Sequence, residues 1–114
     1  MKDIKISPYR RSGARIFTAR DNGIRAREEL GLDQCDKEEE EVCVLIPKDT
    51  WSLNPSFFGG LFELSIKKHM YKFWDKYSFL YTDKSELSDT LRNNIQTNFD
   101  YVIRSIGEEE KDEH

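Results

Sequence analysis

Val42-Cys-Val-Leu-Ile46 is the segment that most restricts the fold, because five consecutive apolar residues are closed there by Pro47. An unbroken, largely β-branched run of this kind suits a central strand covered on both faces. Proline cannot donate to a β ladder, so the strand is expected to end at Ile46.

Elements on either side follow from pattern and punctuation. Lys2 to Ser7 alternates polar and apolar, with Ile4 and Ile6 on one face, as in a half-buried strand. Pro8 and Ser12-Gly13 break the run, and Ala14 to Thr18 predicts a second short strand. Asp21 or Asn22 is placed to cap a helix that reaches Leu30, with Ile24 and Leu30 as core contacts and Gly31 as its stop. Asp33 to Glu41 is acidic and aperiodic, and is expected to be a loop. Asp49 to Ser56 is rich in turn formers, and Phe57 to Lys68 follows on helical spacing through Phe57, Leu61, Leu64 and Lys68. Tyr77 to Tyr81 reads as a strand. Ser85, with Asp89 nearby, opens a helix whose stripe is Leu87, Leu91, Ile95, Phe99, Val102 and Ile103. Gly107 is expected to stop it, which leaves residues 108–114 as a disordered acidic tail. The order β-β-α-β-α-β-α predicts one α/β domain over residues 1–107, a mixed sheet of about four strands carrying about three helices.

Charge is unevenly distributed. Residues 1–27 carry a net +6, residues 28–41 a net −7, and the last seven residues −4, within an overall −4. Such blocks attract each other or separate partners, and equally form two solvated patches. No apolar run approaches the ~20 residues of a membrane span. The start at Met1-Lys2-Asp3 is too polar for a signal peptide. Cys35 and Cys43 form no C-x-x-C pair, so a reduced, cytoplasmic setting is expected.

Ile16-Phe-Thr-Ala-Arg20, Val42 to Ile46 with Trp51-Ser-Leu-Asn-Pro-Ser-Phe57, and Tyr77 to Ile95 together resemble the STAS-like family of unknown function. That family is related to bacterial anti-sigma-factor antagonists. The resemblance covers most of residues 14–104. It departs where family members carry Asp-Phe and this chain has Ile46-Pro47, and where they carry Ala-Asp-Glu and this chain has Phe58-Gly59-Gly60. All three acidic positions are lost, so the chain resembles a divergent member.

The resemblance implies a bacterial or phage regulatory module that binds a protein partner, such as a kinase-like ATPase or an anti-sigma-type regulator. It implies a serine at the start of the helix after the central strand that the partner phosphorylates, and Ser56 matches that position. A serine there also serves simply as a helix cap. A phosphate on it would meet the positive end of the helix dipole. The docking face is expected at Trp51, Asn54, Ser56, Phe58, Gly59 and Gly60, with Arg20 nearby.

Catalytic chemistry finds little support. His69 and His114 are the only histidines, and His69, on a lysine-rich helix end, is expected at the surface. No cluster has zinc-ligand spacing, Phe58-Gly59-Gly60-Leu61 lacks the residues of a phosphate loop, and Glu38 to Glu41 is poor scaffolding for acid–base work. No enzyme, metal or cofactor is expected. The second reading is nucleic-acid binding by Arg10, Arg11, Arg15, Arg20, Arg25 and Arg27, against which the pI near 5.2 weighs.

Overall fold

The computed structural model describes residues 1–112. Strands β1 (Lys2–Lys5), β3 (Val42–Ile46) and β5 (Tyr77–Tyr81) form a three-stranded sheet in the order β1-β3-β5, parallel throughout. β3 is the middle strand and all five of its residues are buried. The apolar run therefore sits where its composition requires. Val44 pairs with Ile4 on one side and Phe79 on the other.

Two further strands, β2 (Ile16–Phe17) and β4 (Ser52–Leu53), pair in parallel as a separate small sheet. The expected single mixed sheet of about four strands is thus corrected, among the described residues, to five strands in two parallel sheets. The five-residue strand expected at 14–18 shrinks to two because Ala14 turns back on Arg11, its N–H bonding the Arg11 carbonyl at 3.0 Å. The turn-rich connection from Asp49 to Ser56 hides β4, which is too short to show a period.

Helices α1 (Arg20–Leu30) and α3 (Pro55–His69) pack against each other through their backbones. A Cβ added at Gly23 would lie 2.2 Å from the Phe57 carbonyl, and one at Gly60 would lie 2.3 Å from the Arg20 carbonyl. Both glycines are there because only hydrogen fits between the helices. This closeness corrects the expected contacts of α1. Its buried positions are Gly23, Ala26 and Arg27, while Ile24 points outward. On α3, Phe57, Phe58, Leu61, Phe62, Ser65 and Ile66 are buried and Leu64 is exposed, so the helix is covered over a wider arc than one stripe.

The acidic segment is not wholly a loop. Leu32–Cys35 forms a short helix, α2, that buries Leu32 and Cys35. Another short helix, α4 (Phe73–Lys76), leads directly into β5. Phe73 stacks on Tyr77 and on Phe99, with ring centroids 4.8 Å and 5.6 Å apart, and joins the last helix to the main sheet.

That helix, α5 (Asp89–Asp112), buries Leu91, Ile95, Phe99 and Val102 of the predicted stripe, with Ile103 only partly buried and Ile106, outside the prediction, buried in addition. Its cap is Ser88, whose Oγ accepts from the Leu91 N–H at 3.2 Å, and not Ser85. Gly107 does not stop it, since the helix continues to Asp112. A single glycine destabilises a helix by about 1 kcal/mol relative to alanine and does not by itself end it. Residues 108–112 of the expected disordered tail are therefore helical, and 113–114, with His114, lie outside the described residues. Among the described residues no helix is long and apolar enough to cross a membrane.

The glycines separate by urea melt. Gly23→Ala and Gly60→Ala should each destabilise by about 1–3 kcal/mol through overpacking. Gly107→Ala, which meets nothing within 4 Å, should stabilise by roughly 0.5–1 kcal/mol. Unchanged midpoints for the first two would contradict the close crossing.

Candidate functional site

β2 runs into α1 and β4 runs into α3, so two parallel strand–helix units end side by side. Ligand crevices of α/β folds lie at such carboxyl ends of strands. Asn54 fixes the junction. Its N–H bonds the Phe17 carbonyl at 2.8 Å, and its side-chain oxygen accepts from the Ser56 N–H at 2.9 Å. Asn54 is therefore the cap of α3, which corrects the expectation for Ser56. Ser56 stands in the first turn, with its side chain exposed and no hydrogen bond to its hydroxyl among the described residues.

A cleft of about 210 Å³ opens here, lined by Arg20, Ser56, Gly59, Glu63, Tyr101 and Ser105. Arg20 pairs with Glu63 across it. The guanidinium lies over Gly59, where an added Cβ would come within 3.1 Å of Arg20 Nη1. Ser56, Gly59 and Glu63 lie along one side of α3, so Arg20 bridges the space between the serine and the glutamate.

The remaining predicted residues divide. Trp51 is 62% exposed and carries the Arg15 guanidinium 5.2 Å from its ring centroid. Phe58, Gly59 and Gly60 are buried, which corrects the placement of Phe58 and Gly60 on a docking face. Phe58 packs on Phe62 at 5.2 Å, and Gly60 is consumed by the helix crossing. Of the set, Arg20, Ser56 and Gly59 meet in one cleft, with Gly59 as its floor. Trp51 lines a different depression with Arg11 and Arg15.

Sequence reasoning missed two arrangements. One is a buried polar network. Arg27, 6% exposed, donates to Asp36 Oδ2 at 2.8 Å, to Ser65 Oγ at 2.7 Å, to the Leu61 carbonyl at 3.0 Å and to Asp33 at 2.9 Å. Asp36 also accepts from Ser65 at 2.6 Å and from the Tyr77 hydroxyl at 2.5 Å. His69 completes the ring, with Nε2 3.2 Å from Asp36 Oδ1, and is half-buried and not at the surface as expected. Burial pushes the Asp36 carboxyl up, but hydrogen bonds from Ser65, Tyr77 and Arg27 outweigh it and hold the group below its ordinary value. Burial, with the Asp36 carboxylate beside it, pushes the Tyr77 hydroxyl up. Among the described residues no buried side-chain polar atom lacks a partner. Ser65 is fully buried and its proton is committed to Asp36, so the network holds α1, α2, α3 and β5 together, and it reaches the surface at a depression lined by Arg27, Asp33, Asp36 and Lys68.

The other arrangement joins α5 to β4. Asn94 accepts from the Leu53 N–H at 2.8 Å and donates to its carbonyl at 3.2 Å, and Asn98 donates to the same carbonyl at 2.9 Å. Two asparagines on an apolar stripe were the available signal, since a polar residue on such a face needs a partner. Comparison with family models, with curated proteins and with solved structures found no match to this chain.

Asp36→Asn should destabilise by about 3–5 kcal/mol, because it leaves a buried guanidinium without its main counter-charge. Wild-type stability supplied by Asp36 is complete above the ordinary value of 3.8 and drains as pH falls towards the lowered folded value. Urea midpoints below pH 5 should therefore fall faster for wild type than for Asp36→Asn. Parallel curves would remove Asp36 from the account.

Proposed function

We propose that this chain is a non-enzymatic regulatory module of STAS-like type that binds a protein partner at the Arg20–Ser56 cleft. The observation that carries it is Ser56: an exposed hydroxyl in the first turn of a 15-residue helix, with an arginine across the same cleft. Phosphoryl transfer from a nucleoside triphosphate would form the Ser56 Oγ–P bond and release the diphosphate and the hydroxyl proton. The new dianion would sit at the positive end of α3 and compete with Glu63 for Arg20. A kinase-like ATPase is the partner that supplies this chemistry. Tyr101, 61% exposed on the rim, adds an aromatic contact of the kind that dominates protein interfaces. Phe58 and Gly60 act from beneath, by holding α3 against its neighbours.

The nucleic-acid reading loses support because half of its arginines are already paired with carboxylates. Arg27 is buried, Arg10 is held by Asp49 at 2.6 Å, and Arg20 is held by Glu63. Three of the six are spent inside the protein.

A photo-crosslinking residue at position 56, and separately at position 40 in the exposed acidic segment, tests the proposal in the native host. A discrete protein adduct from position 56, weakened by Arg20→Glu and absent from position 40, is expected. Adducts from position 40 alone would move the contact to the acidic segment and end the proposal.

A further inference from the structure

We infer that the free edge of β2 receives an extended acidic segment of a protein partner as an added strand. The inference rests on the chain being a protein-binding module, but it uses a surface other than the Arg20–Ser56 cleft. The two edges of the small sheet differ. The outer edge of β4 is closed by Asn94 and Asn98, whose amides take up the Leu53 N–H and carbonyl. Among the described residues β2 has β4 as its only strand neighbour. The carbonyls of Arg15 and Phe17 face β4, accepting from Trp51 N–H at 2.7 Å and Asn54 N–H at 2.8 Å. Backbone groups alternate along a strand, so the N–H and carbonyl of Ile16 point the other way, to the open side. That is one donor and one acceptor in the spacing an extended chain presents.

The flanks of this edge say what kind of chain fits. A depression of about 460 Å³ runs along residues 13–18, beside Arg11, Arg15 and Trp51. A second, of about 400 Å³, adjoins it through Arg11 and Thr18 and reaches Arg25 and Tyr9. Arg10, Arg20 and Arg27 each have a carboxylate partner, whereas among the described residues Arg11, Arg15 and Arg25 form no ion pair. Arg15 is held over Trp51 and Arg25 over Tyr9, at 5.2 Å and 5.5 Å. Aromatic faces orient these guanidiniums without neutralising them. In a chain with 22 acidic and 18 basic residues, three unpaired arginines gathered beside one strand edge call for an external anion. Side chains on an added strand alternate, so carboxylates at every second position would stand on the arginine side. A polynucleotide has no backbone donor to offer Ile16, and the net charge of −4 repels a long polyanion more than a short peptide.

The test uses the full chain and fluorescein-labelled peptides in about 50 mM salt, where charge pairs are weakly screened. The probes are an alternating Glu/Val peptide, its Lys/Val counterpart, the Glu/Val peptide N-methylated at alternate residues, and a single-stranded oligonucleotide of equal charge. Anisotropy should show binding of the Glu/Val peptide alone. Arg11→Glu with Arg15→Glu should weaken it roughly tenfold or more, while Arg92→Glu leaves it unchanged. Amide exchange at Ile16 should slow when the peptide binds. Absence of binding, equal binding of the N-methylated peptide, indifference to the double reversal, or preference for the oligonucleotide would each overturn the inference. Loss of peptide binding with the position-56 crosslink intact would defeat this inference alone and leave the Arg20–Ser56 proposal standing.

Discussion

The contact on which the rest depends is the backbone crossing of α1 and α3 at Gly23 and Gly60. A side chain at either position would push the helices apart, because the facing carbonyl lies closer than any real Cβ contact. The crossing brings Arg20 beside the first turn of α3 and so defines the cleft. It also brings Arg27, one turn beyond Gly23, within reach of Ser65 and the Leu61 carbonyl. Site and polar network are two results of one approach distance.

The network then couples elements that the apolar core alone would hold less specifically. Arg27 from α1, Asp36 after α2, Ser65 and His69 from α3 and Tyr77 from β5 share hydrogen bonds around one carboxylate. Buried charge gains little net stability over a well-packed apolar substitute, but a single missing member is costly. Such a cluster fixes one arrangement of α2 against the sheet, in a segment whose sequence is otherwise acidic and without period.

Much of the frame was legible in the residues. Val42 to Ile46 pointed to an interior strand and the spacing from Leu91 to Val102 to an amphipathic helix, and the structure has both. What escaped were features carried by very few residues or by tertiary contact. β4 is two residues long, below any period. Gly60, expected on a docking face, instead clears space for the backbone of α1. Asn54 and Ser56 are both good caps, and only the Asn54 bond to the Ser56 N–H decides between them. Arg27 gave no local sign that it is interior while Arg11 and Arg15 are not, because its counter-charge comes from Asp36, nine residues later.

The asparagine seal on β4 has a consequence for how the chain assembles. Asn94 and Asn98 imitate the missing neighbour of a strand with two side chains from a helix that comes last in sequence. The edge of β4 is thus closed by side chains 41 and 45 residues further along the chain, and this long-range pairing ties the C-terminal helix to the N-terminal half.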